Sequence, residues 1–162
     1  MTSYLPYDLQ SLIGVHKGTP SKTPEIGQPA PQLDGTNYTS SATLIGFVRH
    51  CGCPFAEYEV KSLAKVHSQY PKIQIIIVAH SDQEVVDDWF NRVGKPNFDN
   101  LDNIKVIADP EYKVYDKFGI GQLSWSGLFS TSMISELRAL ASQGIKNTQT
   151  GKGSNRWQNS GG

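Results

Sequence analysis

Three short apolar runs, each followed by a stretch with helical spacing, constrain this chain more than any other feature. Leu44-Ile45-Gly46-Phe47-Val48 does not alternate apolar with polar, the pattern of a strand buried on both faces. Ile73 to Ala79 is the most strand-like segment, and Lys105 to Ala108 makes a third, shorter one. After the first run, Pro54 suits an opening helical position, and Ala56, Val60, Leu63, Ala64 and His67 recur at helical spacing until Pro71. After the second, Ser81 and Glu84 have the spacing of a capping box ahead of Val85, Val86, Trp89, Phe90 and Val93, with Gly94 as a stop. Trp89 and Phe90 read as core. After the third, Asp109 can cap and Pro110 can sit first in a short helix carrying Val114 and Phe118 and ending at Gly119. A last helix over 131–142 presents Ile134, Leu137, Leu140 and Ala141. Strands alternating with amphipathic helices predict an α/β fold with a parallel sheet covered by helices.

The two ends read differently. Residues 1–42 hold Pro20, Pro24, Pro29 and Pro31 among many Ser, Thr and Gly, which predicts an irregular leader wrapped onto the domain of residues 1–142. From Gln143 to Gly162 the chain is polar and rich in Gly, Ser, Asn and Gln, the composition of a disordered tail. Val, Leu, Ile and Phe still make up 39 of the 162 residues, enough for one domain with a core. Fifteen basic residues balance fifteen acidic ones, so no surplus of positive charge is available for nucleic acid. No apolar run approaches a membrane span, and no secretory signal opens the chain; a cytoplasmic location is expected.

The chemistry is expected at Arg49-His50-Cys51-Gly52-Cys53-Pro54-Phe55-Ala56, which holds both cysteines of the chain. A buried strand here delivers a thiol to the first turn of a helix, where unsatisfied N–H groups favour the thiolate. Cysteines so placed can fall to roughly 3.5–7.5 from about 8.5. Arg49 and His50 add positive charge to that setting; Glu57 and Glu59 oppose it. Other readings stand beside this one. Either cysteine can be a small core residue. A Cys51–Cys53 disulfide would close a very small ring and be strained and oxidising. A zinc site from His50, Cys51, Cys53 and His80 has no established ligand spacing behind it. His16, His67 and His80 read as structural.

The cysteine turn resembles the active-site turn of the peroxiredoxin-like branch of the thioredoxin superfamily, the alkyl hydroperoxide reductase/thiol-specific antioxidant family. Three further segments are similar to that family: the lead-in Ile26-Gly27-Gln28-Pro29-Ala30-Pro31, the segment Ala108-Asp109-Pro110 through Phe118-Gly119, and Asn155-Arg156-Trp157-Gln158-Asn159-Ser160-Gly161. The resemblance implies a thioredoxin-like three-layer α/β/α sandwich with Cys53 at the nucleophile position. It departs from the family at Ala56, where many relatives carry a second cysteine. Resolution would then fall to Cys51, to another molecule's thiol or to glutathione. In the family the segment like Arg156-Trp157-Gln158 leads into two more strands and a closing helix. The sequence given stops at Gly162, so a C-terminally shortened fold is expected, with one sheet edge and part of the pocket wall uncovered unless a homodimer covers them.

Two functions follow as expectations. One is a thiol-dependent antioxidant, a peroxidase or disulfide reductase in type: Cys53 attacks, Cys51 is the candidate resolving thiol, Arg49 stabilises the anion, and His50, Pro54 and Phe55 contact substrate. Its partners are a peroxide or disulfide substrate and a thiol reductant such as glutathione or thioredoxin, with no cofactor and no metal. The other is a non-catalytic or repurposed thioredoxin-like accessory protein in a specialised metabolic pathway, motivated by the absent motif cysteine and the absent closing strands.

Overall fold

The computed structural model describes residues 6–13, 19–38, 42–123 and 131–162. The three apolar runs form strands β1 (Thr43–Phe47), β2 (Gln74–Ala79) and β3 (Ile104–Ala108). They pair in parallel in the order β1-β2-β3, with Ile45 opposite Ile76 and Ile76 opposite Lys105. Parallel neighbours cannot be joined by a tight turn, so each connection carries helix. Between β1 and β2 runs α2 (Pro54–Gln69); between β2 and β3 run α3 (Gln83–Trp89), a π-helical turn (Phe90–Gly94) and a 3-10 turn (Lys95–Asn97). Two shorter helices follow, α4 (Lys113–Lys117) and α5 (Thr131–Ser142); the fold begins with α1 (Tyr7–Ile13).

Side chains of successive strand residues leave opposite faces, and β2 serves both. Ile75, Ile77 and Ala79 pack with Ala56, Val60, Leu63, Val86 and Trp89, so α2 and α3 cover one face. Ile76 and Val78 pack with Leu33, Phe47 and Tyr115, so α4 and the segment before β1 cover the other. This is why β2 reads as a continuous apolar run. The Tyr115 hydroxyl reaches two carbonyls, Val48 at 2.5 Å and Val78 at 2.9 Å, tying the ends of β1 and β2 together from below.

Several local expectations need correction. The leader contains α1, which its prolines and short apolar pattern had hidden. Ser81 does not cap α3: Asp82 holds the N-cap position, and the Ser81 hydroxyl is buried against that of Ser154 at 2.7 Å. Gly94 does not simply stop the helix, because the chain passes through the π-helical and 3-10 turns. Asp109 caps from a distance. Pro110 lies in a separate turn, Tyr112 takes the N-cap position with φ 60, and the Asp109 carboxylate accepts the N–H groups of Val114 (2.7 Å) and Tyr115 (3.1 Å). On α5, Leu140 is buried and Leu137 half-buried as expected, whereas Ile134 and Ala141 face outward.

The polar segment after Gln143 is packed. Ile145, Thr150, Ser154, Asn155, Trp157 and Gln158 are all buried. It is held by polar groups in place of an apolar stripe: His80 Nε2 lies within hydrogen-bond distance of the Asn155 backbone, 3.0 Å from its carbonyl and 3.2 Å from its N–H, and Gln158 donates to the carbonyls of Ile120 and Gly121. The edge of β1 is also not bare, since Gly161 forms an antiparallel bridge with Phe47 (N–H to carbonyl 2.7 and 3.1 Å).

Candidate functional site

β1 ends at Phe47, and Val48-Arg49-His50 carries the chain to the turn. Cys53 donates its N–H to the His50 carbonyl (2.9 Å) and stands at the N-cap of the 16-residue α2, with Pro54 in the first turn. Its backbone is extended there (φ −76, ψ 131), and its carbonyl accepts the Glu57 N–H at 3.2 Å. Gly52 supplies the bend at φ 107. A Cβ at that residue would lie 2.9 Å from the Gln149 carbonyl, and the Gly52 carbonyl accepts the Thr148 N–H at 3.0 Å. The segment composition would call a tail therefore clamps the cysteine turn.

The two thiols border different cavities. Cys51, 3 % exposed, borders one of about 480 Å³ together with Glu84, Asp88 and Arg92. Burial pushes its thiol up to about 12 against the opposing hydrogen bond from Ser81, so Cys51 is protonated at neutral pH. Cys53, 4 % exposed, borders a second cavity of about 310 Å³. Arg49, His50, Pro54 and Phe55 share that second cavity, so five of the six candidate residues meet around Cys53 and the sixth, Cys51, opens elsewhere.

The charged side chains on the wall of this cavity are two arginines. Arg49 is buried; its Nη2 donates to the Arg156 carbonyl at 2.8 Å, and its buried Nε has no hydrogen-bond partner among the described residues. Arg156 reaches Asp8 (2.8 Å), Thr150 (2.9 Å) and Ser11 (3.1 Å). Hydrogen bonds from Thr150, then from Arg156, hold the Asp8 carboxyl down at about 2. Burial, helped by the charges of Arg156 and Arg49, pushes His50 down to about 4, so its imidazole is neutral at pH 7. The two carboxylates near the start of α2 are both altered by their surroundings. Glu57 is paired with Lys61 at 2.6 Å, and burial lifts Glu59 to about 7.

Sequence reasoning missed the far wall of this cavity. Leu12 comes from α1, Met133 and Leu137 from α5, Asn147 and Arg156 from the polar segment. Arg156, inside the stretch from Asn155 to Gly161 singled out above, and Leu137, on the apolar face expected for 131–142, carried the available hints; Leu12 carried none. His67 lies against Phe98, and His80 is enclosed by Tyr112 and Tyr115, both away from either thiol cavity's walls. His16 lies outside the described residues. Among the described residues no group of three or more His, Cys, Asp or Glu side chains is arranged to hold a metal ion, and no helix is long and apolar enough to cross a membrane. Comparisons with known protein families, with curated proteins and with solved structures gave no match.

Proposed function

We propose that this chain is a thiol-dependent redox protein on a thioredoxin-like frame, with Cys53 as the attacking sulfur and a peroxide as the oxidant. The observation that carries the reading is the position of Cys53: the N-cap of a long helix, on the wall of a cavity it shares with Arg49 and His50. A helix N-terminus favours an anion through its free N–H groups, and Arg49 adds a fixed charge beside it. The Cys53 thiolate attacks one peroxide oxygen; the S–O bond forms, the O–O bond breaks, and the departing alkoxide takes a proton from water. The resulting sulfenic acid condenses with a reductant thiol, releasing water. A second reductant thiol then attacks the mixed disulfide, which frees Cys53 and leaves the reductant oxidised.

The resolving thiol is external in this scheme, glutathione or a thioredoxin. Cys51 faces another cavity and is held as a thiol, which argues against it as the resolver. The test is peroxide consumption with glutathione or thioredoxin as reductant. Turnover is expected in the native protein, retained in Cys51→Ser and lost in Cys53→Ser. Equal turnover in the native protein and Cys53→Ser overturns the reading.

A second reading, a non-catalytic accessory protein, draws on the burial of Cys53 within the core cluster. It requires that Cys53→Ser keep the biological activity of the native chain.

A further inference from the structure

The cavity beside Cys53 has the volume of a small-molecule site, and its walls are chemically lopsided. Leu12, Phe55, Met133 and Leu137 make most of it apolar. Its charges are two guanidinium groups, and they are not equivalent. Arg156 is answered by Asp8. Arg49 has no carboxylate within ion-pair reach among the described residues; one nitrogen is engaged by a neutral carbonyl and its buried Nε by nothing. His50 adds no charge at neutral pH. A buried cation with an unfilled N–H is costly, and native interiors rarely leave one without a partner. What would balance the guanidinium charge on the cavity wall is a single negative charge carrying acceptor oxygens, and what would fill the remainder is hydrocarbon.

We propose that this cavity binds an aliphatic monocarboxylate of medium chain length, its head group on Arg49 and its chain against Leu12, Met133 and Leu137. This names the substrate class for the redox reading and rests on that reading for the step at sulfur: the substrate is such an acid bearing a hydroperoxide, reduced by Cys53 to the hydroxy acid. A dianion would bring one charge more than Arg49 answers. An uncharged chain would leave the charge of Arg49 unanswered.

The experiment is calorimetric titration of octanoate, 1-octanol and acetate into the native protein and into Cys53→Ser, which removes the chemistry and keeps the cavity. Octanoate should bind both proteins, at least as tightly in Cys53→Ser, where no thiolate shares the charge of Arg49, and roughly tenfold or more tighter than 1-octanol, the worth of a charge-assisted hydrogen bond in a buried site. Acetate should bind far more weakly than octanoate. Arg49→Met should bring octanoate down to the level of octanol, and Arg49→Lys should restore part of the preference. Leu137→Trp fills the cavity from α5 without touching the charge and should weaken both eight-carbon ligands. Octanoate binding no tighter than octanol, or Leu137→Trp binding octanoate normally, overturns the proposal. These two results decide it even where Arg49→Met does not fold. Normal octanoate binding with no peroxide turnover sinks the redox reading alone; turnover without octanoate binding sinks this inference alone.

Discussion

Thr148 donates its backbone N–H to the carbonyl of Gly52 at 3.0 Å. Nearly a hundred residues separate the two in sequence, yet this bond and the neighbouring Gln149 carbonyl close over the cysteine turn and hold it in a backbone conformation that only glycine adopts without strain. The shape of the turn is thus shared between the Cys-Gly-Cys sequence and a segment that carries no apolar pattern.

Gly52→Ala should therefore destabilise the protein by roughly 2 kcal/mol, from a strained positive φ together with a contact to backbone that cannot swing away. Urea unfolding measures it. A change below about 0.5 kcal/mol, the size of an ordinary surface substitution, would mean that the clamp yields freely.

The two thiols should react at very different rates. Both thiols are buried, but burial holds Cys51 up at about 12, so alkylation by iodoacetamide at pH 8 should modify Cys53 first, with Cys51 following only as the protein unfolds. Peptide mass spectrometry over time reads the order. Faster labelling of Cys51 would reverse the assignment of roles.

Glu59 supplies a pH dependence of defined sign. Its carboxyl titrates near 7 in the fold against an ordinary 4.5, so the folded state holds the proton more tightly. Stability from this group is full below pH 4.5, falls as pH rises through 7, and is then level. Each tenfold difference in acidity is worth about 1.4 kcal/mol, which puts the loss at up to about 3 kcal/mol. Glu59→Gln should stabilise the protein at pH 8 and have little effect at pH 4; denaturant titrations at both pH values check it.

Tyr115→Phe removes the hydroxyl that reaches the Val48 and Val78 carbonyls and leaves the ring in place. The expected cost is about 1–2 kcal/mol, since Val48 loses a buried donor and Val78 keeps the Val48 N–H. Thermal unfolding measures this. An unchanged midpoint would show that the hydroxyl contributes nothing net.

Acid should loosen α1 before the core. Asp8 accepts from Thr150 and Arg156 and is held at about 2 against 3.8. Its contribution is present above pH 3.8 and lost as pH falls through 2. Asp8 is 43 % exposed, so the term is small, no more than about 1 kcal/mol. The indole of Trp157 donates to the Leu12 carbonyl at 2.8 Å, and its proton should exchange faster in Asp8→Asn than in the native protein. Unchanged exchange would detach Asp8 from the anchoring of α1.

What could be read from the sequence was whatever burial writes as repetition. β2 is buried on both faces and α2 on one, so their residues announce themselves in runs and at helical spacing, and Cys53-Pro54 marks the helix start. α1 leaves no such mark. Leu9, Leu12 and Ile13 are largely exposed, and the helix is fixed by Asp8 and Ser11 bonding to residues about 145 positions away. Residues 143–162 stay in place through polar bonds such as Asn155 to His80, which no hydropathy pattern encodes. For the same reason the candidate site was legible on its near side, Arg49 to Phe55, while the wall built from Leu12, Leu137 and Arg156 was not.

That far wall has a consequence for the order of assembly. Around Cys53, Leu12 and Arg156 stand 144 residues apart in the chain, and Arg49 and Leu137 stand 88 apart. Contacts of such long sequence separation form late. In folding, the unit of β1, α2 and β2, joined by near neighbours in sequence, therefore forms before the cavity beside Cys53 is walled in from both sides.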